Sequence, residues 1–300
     1  MAKRLVYVLV IGIIIFSCGA CSWLLKHAPE EKDGMVVIPK GTFMIGLDEG
    51  EINARSAHDV FLETYMIDKY EVSAKEFAEF LNEKGNPEEQ YFSLDPYSTI
   101  IDMSSVQSKA IDIKENPQSF VPAKGFEKFP ANNVSWFGAY AYCQWKGKRL
   151  PTEAEWEKAA RDDDWRIYPW GNSLPDDSKA RYNQKWKDRG LSVMVPVDSL
   201  PDGASYYGVY NMAGNVWEWV DDWFKRDYCL HCPEKNECIP CQEGGSCDYC
   251  PEERPASGHF KVLRGGSWYE IFGEYTMRSV YRYWLNPTDR FLNTGFRCAK

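Results

Sequence analysis

Hydrophobic residues recur at helical spacing behind a capping residue in three segments of the chain. Ser73 precedes the first segment, Glu76 follows three residues later, and Phe77, Phe80 and Leu81 fall on one face. A Ser or Thr three residues before a Glu is the capping-box pattern of a helix N-terminus. The sequence therefore predicts an amphipathic helix that begins just after Ser73.

Two further helices are predicted in the middle of the chain. Ser135 is the capping residue of the first, and Thr152 caps the second over residues 153–161, with Glu155 at the capping-box position. The residues expected to face the core are Ala139, Tyr142, Cys143, Trp145, Trp156, Ala159 and Ala160.

The rest of the chain favours short strands and turns. Residues 35–39 are almost wholly apolar and predict a buried strand, and residues 40–46 predict a second strand between glycine turns. Residues 86–132 have no clear period, so we expect a long irregular excursion. From residue 168 onward, turn residues dominate. The pattern thus indicates few helices, short strands and many turns.

The N-terminus has the pattern of an export signal. Lys3 and Arg4 precede an apolar run over residues 5–16, and small residues then surround Cys18 and Cys21. Residues 15–18 resemble a bacterial lipobox, which predicts a lipid on Cys18, with Cys21 as the second candidate. An uncleaved anchor over residues 5–25 and simple secretion are the alternatives, because roughly 20 apolar residues span a bilayer. We expect an exported chain on the cell envelope, at its periplasmic or outer face, with a signal over 1–21 and a polar linker over 22–33.

Charge and composition narrow the function classes. The chain has 35 Lys and Arg against 44 Asp and Glu, a net charge of −9, so it is a poor candidate for binding nucleic acid through phosphates. Only four histidines are available for a histidine-rich metal site. The phosphate-binding GxxxxGK[ST] loop and the GxSxG and HExxH motifs are all missing from the sequence.

Nine sequence blocks occur in an order that resembles one known family. They are residues 38–46 (IPKGTFMIG), 68–73 (DKYEVS), 133–136 (NVSW), 141–145 (AYCQW), 147–157 (GKRLPTEAEWE), 168–172 (YPWGN), 208–219 (GVYNMAGNVWEW), 263–268 (LRGGSW) and 295–298 (GFRC). Together they resemble the formylglycine-generating enzyme (sulfatase-modifying factor) family over residues 34–300. The resemblance implies one mixed α+β domain with a C-type-lectin-like core. Six tryptophans are expected to fill its interior: Trp136, Trp145, Trp156, Trp170, Trp217 and Trp219.

The family's copper chemistry is not expected here. Active members resemble oxygenases that bind copper through two cysteines just after the Gly-Gly-Ser block, five residues apart. Glu270 and Tyr275 stand at those positions in this chain. Soft Cu(I) prefers thiolate or thioether ligands over carboxylate and phenol groups. We therefore expect neither copper nor catalytic residues of the family's kind.

The resemblance also implies structural calcium. The matching residues are Asn211, Gly214, Val216 and Glu218, with a second, less complete set at Asn183 and Asp188. Side-chain and carbonyl oxygens in a tight turn suit Ca²⁺. The alternative is that Asn211 caps a turn and Glu218 pairs with an arginine.

The ten cysteines fall into three groups. Two belong to the signal, and the resemblance implies a disulfide between Cys143 and Cys298. The other six form three CxxC pairs in an insert over about 225–258: Cys229 and Cys232, Cys238 and Cys241, Cys247 and Cys250. Disulfides, a zinc or iron site, and a thioredoxin-like redox role all remain open for this Cys-rich insert.

Two function classes follow. The first is a non-catalytic binding or assembly module, held at the membrane by a lipid or helix, which presents the 86–132 excursion and the Cys-rich insert to an envelope protein or glycan. The second is an enzyme that oxidatively modifies an exported peptide or small molecule. Such an enzyme would need a new metal site, built from Glu270, Tyr275 and Tyr281 or from the CxxC pairs.

Overall fold

The computed structural model describes residues 30–47, 54, 57–93, 95, 97–102, 120–224 and 258–300. The strands in these ranges are β1 (Glu31–Lys32), β2 (Met35–Ile38), β3 (Gly41–Ile45), β4 (His58–Leu62), β5 (Tyr65–Asp68), β6 (Ile100–Asp102), β7 (Phe120–Pro122), β8 (Trp217–Trp223), β9 (Lys261–Arg264), β10 (Arg282–Leu285) and β11 (Thr294–Phe296). The helices are α1 (Ala74–Lys84), α2 (Trp136–Trp145), α3 (Glu153–Arg161), α4 (Trp186–Arg189) and α5 (Gly273–Thr276). The predicted mixed fold, with few helices and short strands, is confirmed.

The central sheet has the strand order β10-β9-β8-β11. Strands β10, β9 and β8 pair antiparallel, whereas β11 runs parallel to β8. A three-stranded sheet has the order β1-β2-β5, and β3 with β4 and β6 with β7 form separate two-stranded ladders. The central sheet therefore joins residues near 217 with residues near 283 and 295, which are far apart in the sequence.

The helix starts follow the capping residues in the sequence. The Ser73 hydroxyl accepts a hydrogen bond from the Glu76 backbone N–H at 3.3 Å, and the Glu76 carboxylate accepts one from the Ser73 N–H at 3.0 Å. Thr152 and Glu155 repeat this pair at the start of α3, and Ser135 caps α2. Each cap satisfies backbone donors that lack an intrahelical partner, so the local sequence fixes these helix starts.

The largest hydrophobic cluster lies between α1, α2 and the central sheet. Phe77 of α1 meets Phe296 of β11 edge to face, with ring centroids 5.7 Å apart. Phe80 meets Tyr142 of α2 in the same manner at 5.7 Å. The Cys143–Cys298 disulfide that the resemblance implied is present in the structure and ties α2 to the chain just after β11.

Residues 296–300 bond to much earlier parts of the chain. The Met66 N–H donates to the Lys300 carbonyl at 2.9 Å, and the Val72 N–H donates to the Phe296 carbonyl at 2.9 Å. The Ala299 N–H donates to the Arg149 carbonyl at 2.7 Å. This segment therefore closes the gap between the three-stranded sheet and the loop before α3.

Three of the six tryptophans expected in the interior are only partly buried. Trp156, Trp217 and Trp219 are buried, whereas Trp136, Trp145 and Trp170 keep part of their surface exposed. Trp136 illustrates the reason, because its indole N–H donates to the Val220 carbonyl at 2.9 Å while its ring stacks on the exposed Tyr140. An indole suits such a boundary because one end is apolar and the other polar.

Two short ladders lie where the pattern indicated linker or irregular chain. Strand β1 falls inside the expected linker and pairs with β2, and Glu31 forms an ion pair with Lys69 at 2.5 Å. Strands β6 and β7 pair within the expected 86–132 excursion. These strands have two or three residues each, too few for a period to show in the sequence.

Several predicted features lie outside the described residues. They are the export signal with Cys18 and Cys21, and the six cysteines of the Cys-rich insert. Over the described ranges, no helix has the length and apolar character needed to span a membrane.

Replacing both Cys143 and Cys298 by Ser should lower the free energy of unfolding by about 2–5 kcal/mol, because the disulfide closes a long loop in the unfolded chain. Urea denaturation of the variant and the parent measures this difference. An unchanged unfolding midpoint would contradict a stabilising role for the bond.

Candidate functional site

A cavity of about 460 Å³ opens between the start of β8, strand β10 and the loop that follows β9. Ligand sites typically enclose roughly 300–1,000 Å³. Aromatic rings make up most of the wall: Trp217, Trp268, Tyr269, Tyr281, Tyr283 and Phe291. Glu270 is the one acidic or basic side chain among the lining residues.

Two glycines turn the chain into this cavity after β9. Gly265 and Gly266 have φ angles of 94° and 76°, in the left-handed region that glycine adopts readily. A Cβ on Gly266 would lie 2.3 Å from the Met277 methyl carbon and 2.9 Å from the Thr276 carbonyl oxygen. The close packing and the backbone angle both require glycine here.

The loop after the glycines is anchored on both sides. The Trp268 N–H donates to the Asn215 carbonyl at 2.9 Å, next to the start of β8. The Asn183 N–H donates to the Glu270 carbonyl at 2.9 Å. These backbone bonds hold the Glu270 side chain at the cavity wall.

Glu270 has neutral hydrogen-bond partners only. The Trp217 indole N–H donates to Glu270 Oε1 at 2.9 Å, and the Ser267 hydroxyl donates to the same oxygen at 3.2 Å. Burial raises the pKa of Glu270, and these two hydrogen bonds oppose the rise. Within the described part of the chain, no basic side chain contacts this carboxylate, and Oε2 accepts no hydrogen bond.

The residues at the family's cysteine positions do not fit copper. Glu270 lines the cavity, whereas Tyr275 is not among the lining residues; its ring is half exposed, with the Arg278 guanidinium 5.1 Å from its centre. Tyr281 also lines the cavity. A carboxylate and phenol groups are poor ligands for a soft metal. Across the described ranges, no group of three or more His, Cys, Asp and Glu is placed to hold a metal.

Glu218, which belongs to the expected calcium set, forms an ion pair with an arginine. The Arg297 Nη2 and Nε donate to Glu218 Oε1 and Oε2, each at 2.7 Å, and the Trp156 indole N–H donates to Oε2 at 2.8 Å. Both side chains of the pair are fully buried. The arginine pairing named as the alternative is thus the arrangement observed. These side chains do not fit a calcium site, because a guanidinium already balances the carboxylate.

The other residues of the first expected calcium set lie in the loop just before β8. The Asn211 amide N–H₂ donates to the Glu71 carboxylate at 2.8 Å, and Gly214 packs against the Arg181 backbone. Val216 belongs to a hydrophobic cluster. In the second set, Asn183 is exposed and the side chain of Asp188 lies outside the described part of the chain.

Two features of this region escaped the sequence analysis. Glu71 is buried beside Asn211 and Asn215, and burial, followed by the charge of Glu218, raises its pKa to about 8. The signal in the sequence that could have pointed to Glu71 is its place in the DKYEVS block. The aromatic wall was also missed, because its lining residues come from distant parts of the sequence. Trp217 is buried in the core as expected and lines the cavity as well.

Comparison with known proteins agrees with this fold. The family model of the sulfatase-modifying factor enzyme 1-like domain matches residues 22–300. The formylglycine-generating enzyme of Thermomonospora curvata is 33% identical over 312 residues, covering 91% of this chain and 96% of that enzyme. The structure of PvdO from Pseudomonas aeruginosa has a TM-score of 0.61 at 24% identity, covering 90% and 99% of the two chains, and shows the same fold.

The fold and the cavity after the Gly-Gly-Ser block define a formylglycine-generating-enzyme-like domain. The chain belongs to the sulfatase-modifying factor family. A further relative is the serine/threonine-protein kinase pkn1 of Chlamydia caviae, 33% identical over 285 residues and 92% of this chain. The chain spans only about two fifths of that relative's length, since the match covers 40% of it.

Replacing Arg297 by Met should lower the free energy of unfolding by about 3–5 kcal/mol, because Glu218 would be left buried without its counter-charge. Urea denaturation measures the loss. The matched control is Lys128→Met, which removes one partner of the exposed Lys128–Asp198 pair and should change the free energy of unfolding far less, because water screens this pair. An equal loss of unfolding free energy in both variants would show that the buried pair stabilises the fold no more than an exposed pair does.

Proposed function

We propose that this chain is a non-catalytic binding module on the formylglycine-generating-enzyme scaffold, and that it holds its ligand in the aromatic cavity. The observation that carries the proposal is the identity and setting of Glu270. Where active relatives have a copper ligand, this chain has a carboxylate held by Trp217 and Ser267. The scaffold keeps a ligand-sized cavity while the metal-binding thiolates are replaced.

The composition of the cavity wall supports binding. Apolar and aromatic side chains with a few fixed polar groups are typical of ligand sites. The adjoining segment exposes apolar residues in series: Tyr269 is 62% exposed, Ile271 64% and Phe272 60%. Contiguous exposed apolar residues typically mark interaction surfaces. A partner that covers this segment would also close the cavity.

The proposal includes export and membrane anchoring. Lys3 and Arg4, the apolar run over 5–16 and the cysteines Cys18 and Cys21 support it. The disulfide between α2 and the chain after β11 agrees with an oxidising compartment, where such bonds persist. The partner is then an envelope protein or glycan.

A second candidate is an oxidative enzyme with altered metal chemistry. The raised pKa of Glu270 favours it, since carboxyl groups with shifted pKa values in cavities are common in active sites. The position of Tyr275 disfavours it, because this residue does not line the cavity beside Glu270.

Metal analysis and oxygen uptake separate the two candidates. The full chain, purified in detergent, should contain copper and iron far below one atom per chain and should consume no oxygen with a cysteine-containing peptide. One copper or iron per chain together with oxygen uptake would refute the binding proposal. The same sample tests calcium: one calcium per chain, with a chelator lowering the melting temperature, would restore the calcium prediction despite the Glu218–Arg297 pair.

Palmitate labelling in cells tests the anchor. The chain should incorporate label, and replacing both Cys18 and Cys21 by Ser should abolish it, because a lipoprotein signal is acylated at its cysteine. The single variants identify which cysteine is modified. Label that persists in the double variant would exclude lipidation at either cysteine.

A further inference from the structure

The carboxylate of the cavity has no cationic partner among the residues that the structure describes. Glu270 Oε1 is held by two neutral donors, and Oε2 accepts no hydrogen bond from the described part of the chain. Removing a carboxylate from water is costly unless an opposite charge compensates it. A ligand that brought a cation to Oε2 would supply that charge.

The rings around Glu270 also suit a cation. Trp217 and Tyr283 are stacked with centroids 5.3 Å apart, and Tyr281 lies 6.1 Å from Trp217. The electron-rich faces of such rings attract ammonium and guanidinium groups. A cavity with several aromatic rings and one carboxylate therefore combines the two groups that recognise organic cations.

We infer that the cavity receives the basic side chain, lysine or arginine, of a polypeptide partner. This inference rests on the proposed binding function and specifies its ligand. The ammonium or guanidinium group lies against Glu270 Oε2, and the aliphatic part of the side chain packs against Tyr283 and the other rings of the cavity wall. An anionic ligand would be repelled by Glu270, and a neutral one would bury the carboxylate without compensation.

The surface next to the cavity points to a polypeptide. Tyr269, Ile271 and Phe272 are exposed in series beside Glu270. A free amine would leave these side chains in water, whereas the residues flanking a basic side chain would cover them. Burial of such apolar area is the main favourable contribution to most protein association.

Peptide binding to the full chain tests the inference. The probes are fluorescein-labelled Gly-Gly-Lys-Gly-Gly, the same peptide with arginine at the centre, and one with norleucine, which keeps the aliphatic chain and lacks the charge. Fluorescence anisotropy should give saturable binding of the lysine or arginine peptide, at least about tenfold tighter than the norleucine peptide.

Glu270→Gln should remove most of this preference, because it keeps the shape and an oxygen acceptor for Trp217 but lacks the charge. Glu274→Gln is the matched control, because this substitution makes the same change in charge. Glu274 is exposed and does not line the cavity. Tyr283→Leu should weaken the binding of the lysine and arginine peptides, whereas Tyr283→Phe, which keeps the ring, should not. Melting temperatures establish that each variant folds.

Equal binding of the lysine and norleucine peptides would overturn the cation inference and leave the cavity as a binding site. An equal loss of affinity for the cationic peptides in Glu270→Gln and Glu274→Gln would also overturn it. The loss would then follow from the net charge of the protein and not from a contact in the cavity. Absence of binding by every peptide would overturn it as well. The proposed function is judged separately, by metal content and oxygen uptake.

Discussion

Buried ion pairs hold together a fold that has little regular structure. Three buried arginines lie in or next to the strands of the central sheet: Arg264 ends β9, Arg282 begins β10, and Arg297 directly follows β11. Their carboxylate partners lie on α3 and β8. The pairs are Arg264 with Glu157 at 2.5 Å, Arg282 with Glu153 at 2.6 Å, and Arg297 with Glu218 at 2.7 Å. A buried charge is tolerated only with its partner in place. The first two pairs therefore fix how α3 sits against the sheet, and the third ties the chain after β11 to β8.

The same interactions shape the cavity. Arg264 also donates to the carbonyls of Ser279, Val280 and Tyr281, which hold the segment leading into β10. That segment and β10 supply part of the aromatic wall. Glu270 differs from the carboxylates of the three pairs, since its partners are an indole and a hydroxyl. The three pairs therefore balance their own charges, whereas the carboxylate at the cavity has no cationic partner in the described part of the chain.

Local features of this fold could be read from the sequence, and long-range ones could not. The capping boxes at Ser73 and Thr152 are complete within four residues, so the starts of α1 and α3 were predicted correctly. The Cys143–Cys298 bond came from the family resemblance and not from spacing. The aromatic cavity depends on β8, β9 and β10 lying side by side, which no single window of sequence contains. Trp217 is a core residue as expected, but the sequence gives no sign that its indole N–H reaches Glu270.

The bonds from residues 296–300 to residues near 66, 72 and 149 have a consequence for folding. Strand β5 and the loop before α3 gain these backbone partners only after almost the whole chain has been synthesised. Contacts between residues so distant in sequence slow folding, because the loop entropy is lost before the contacts form. Residues 296–300 must therefore dock against β5 and the loop before α3 before the fold is complete.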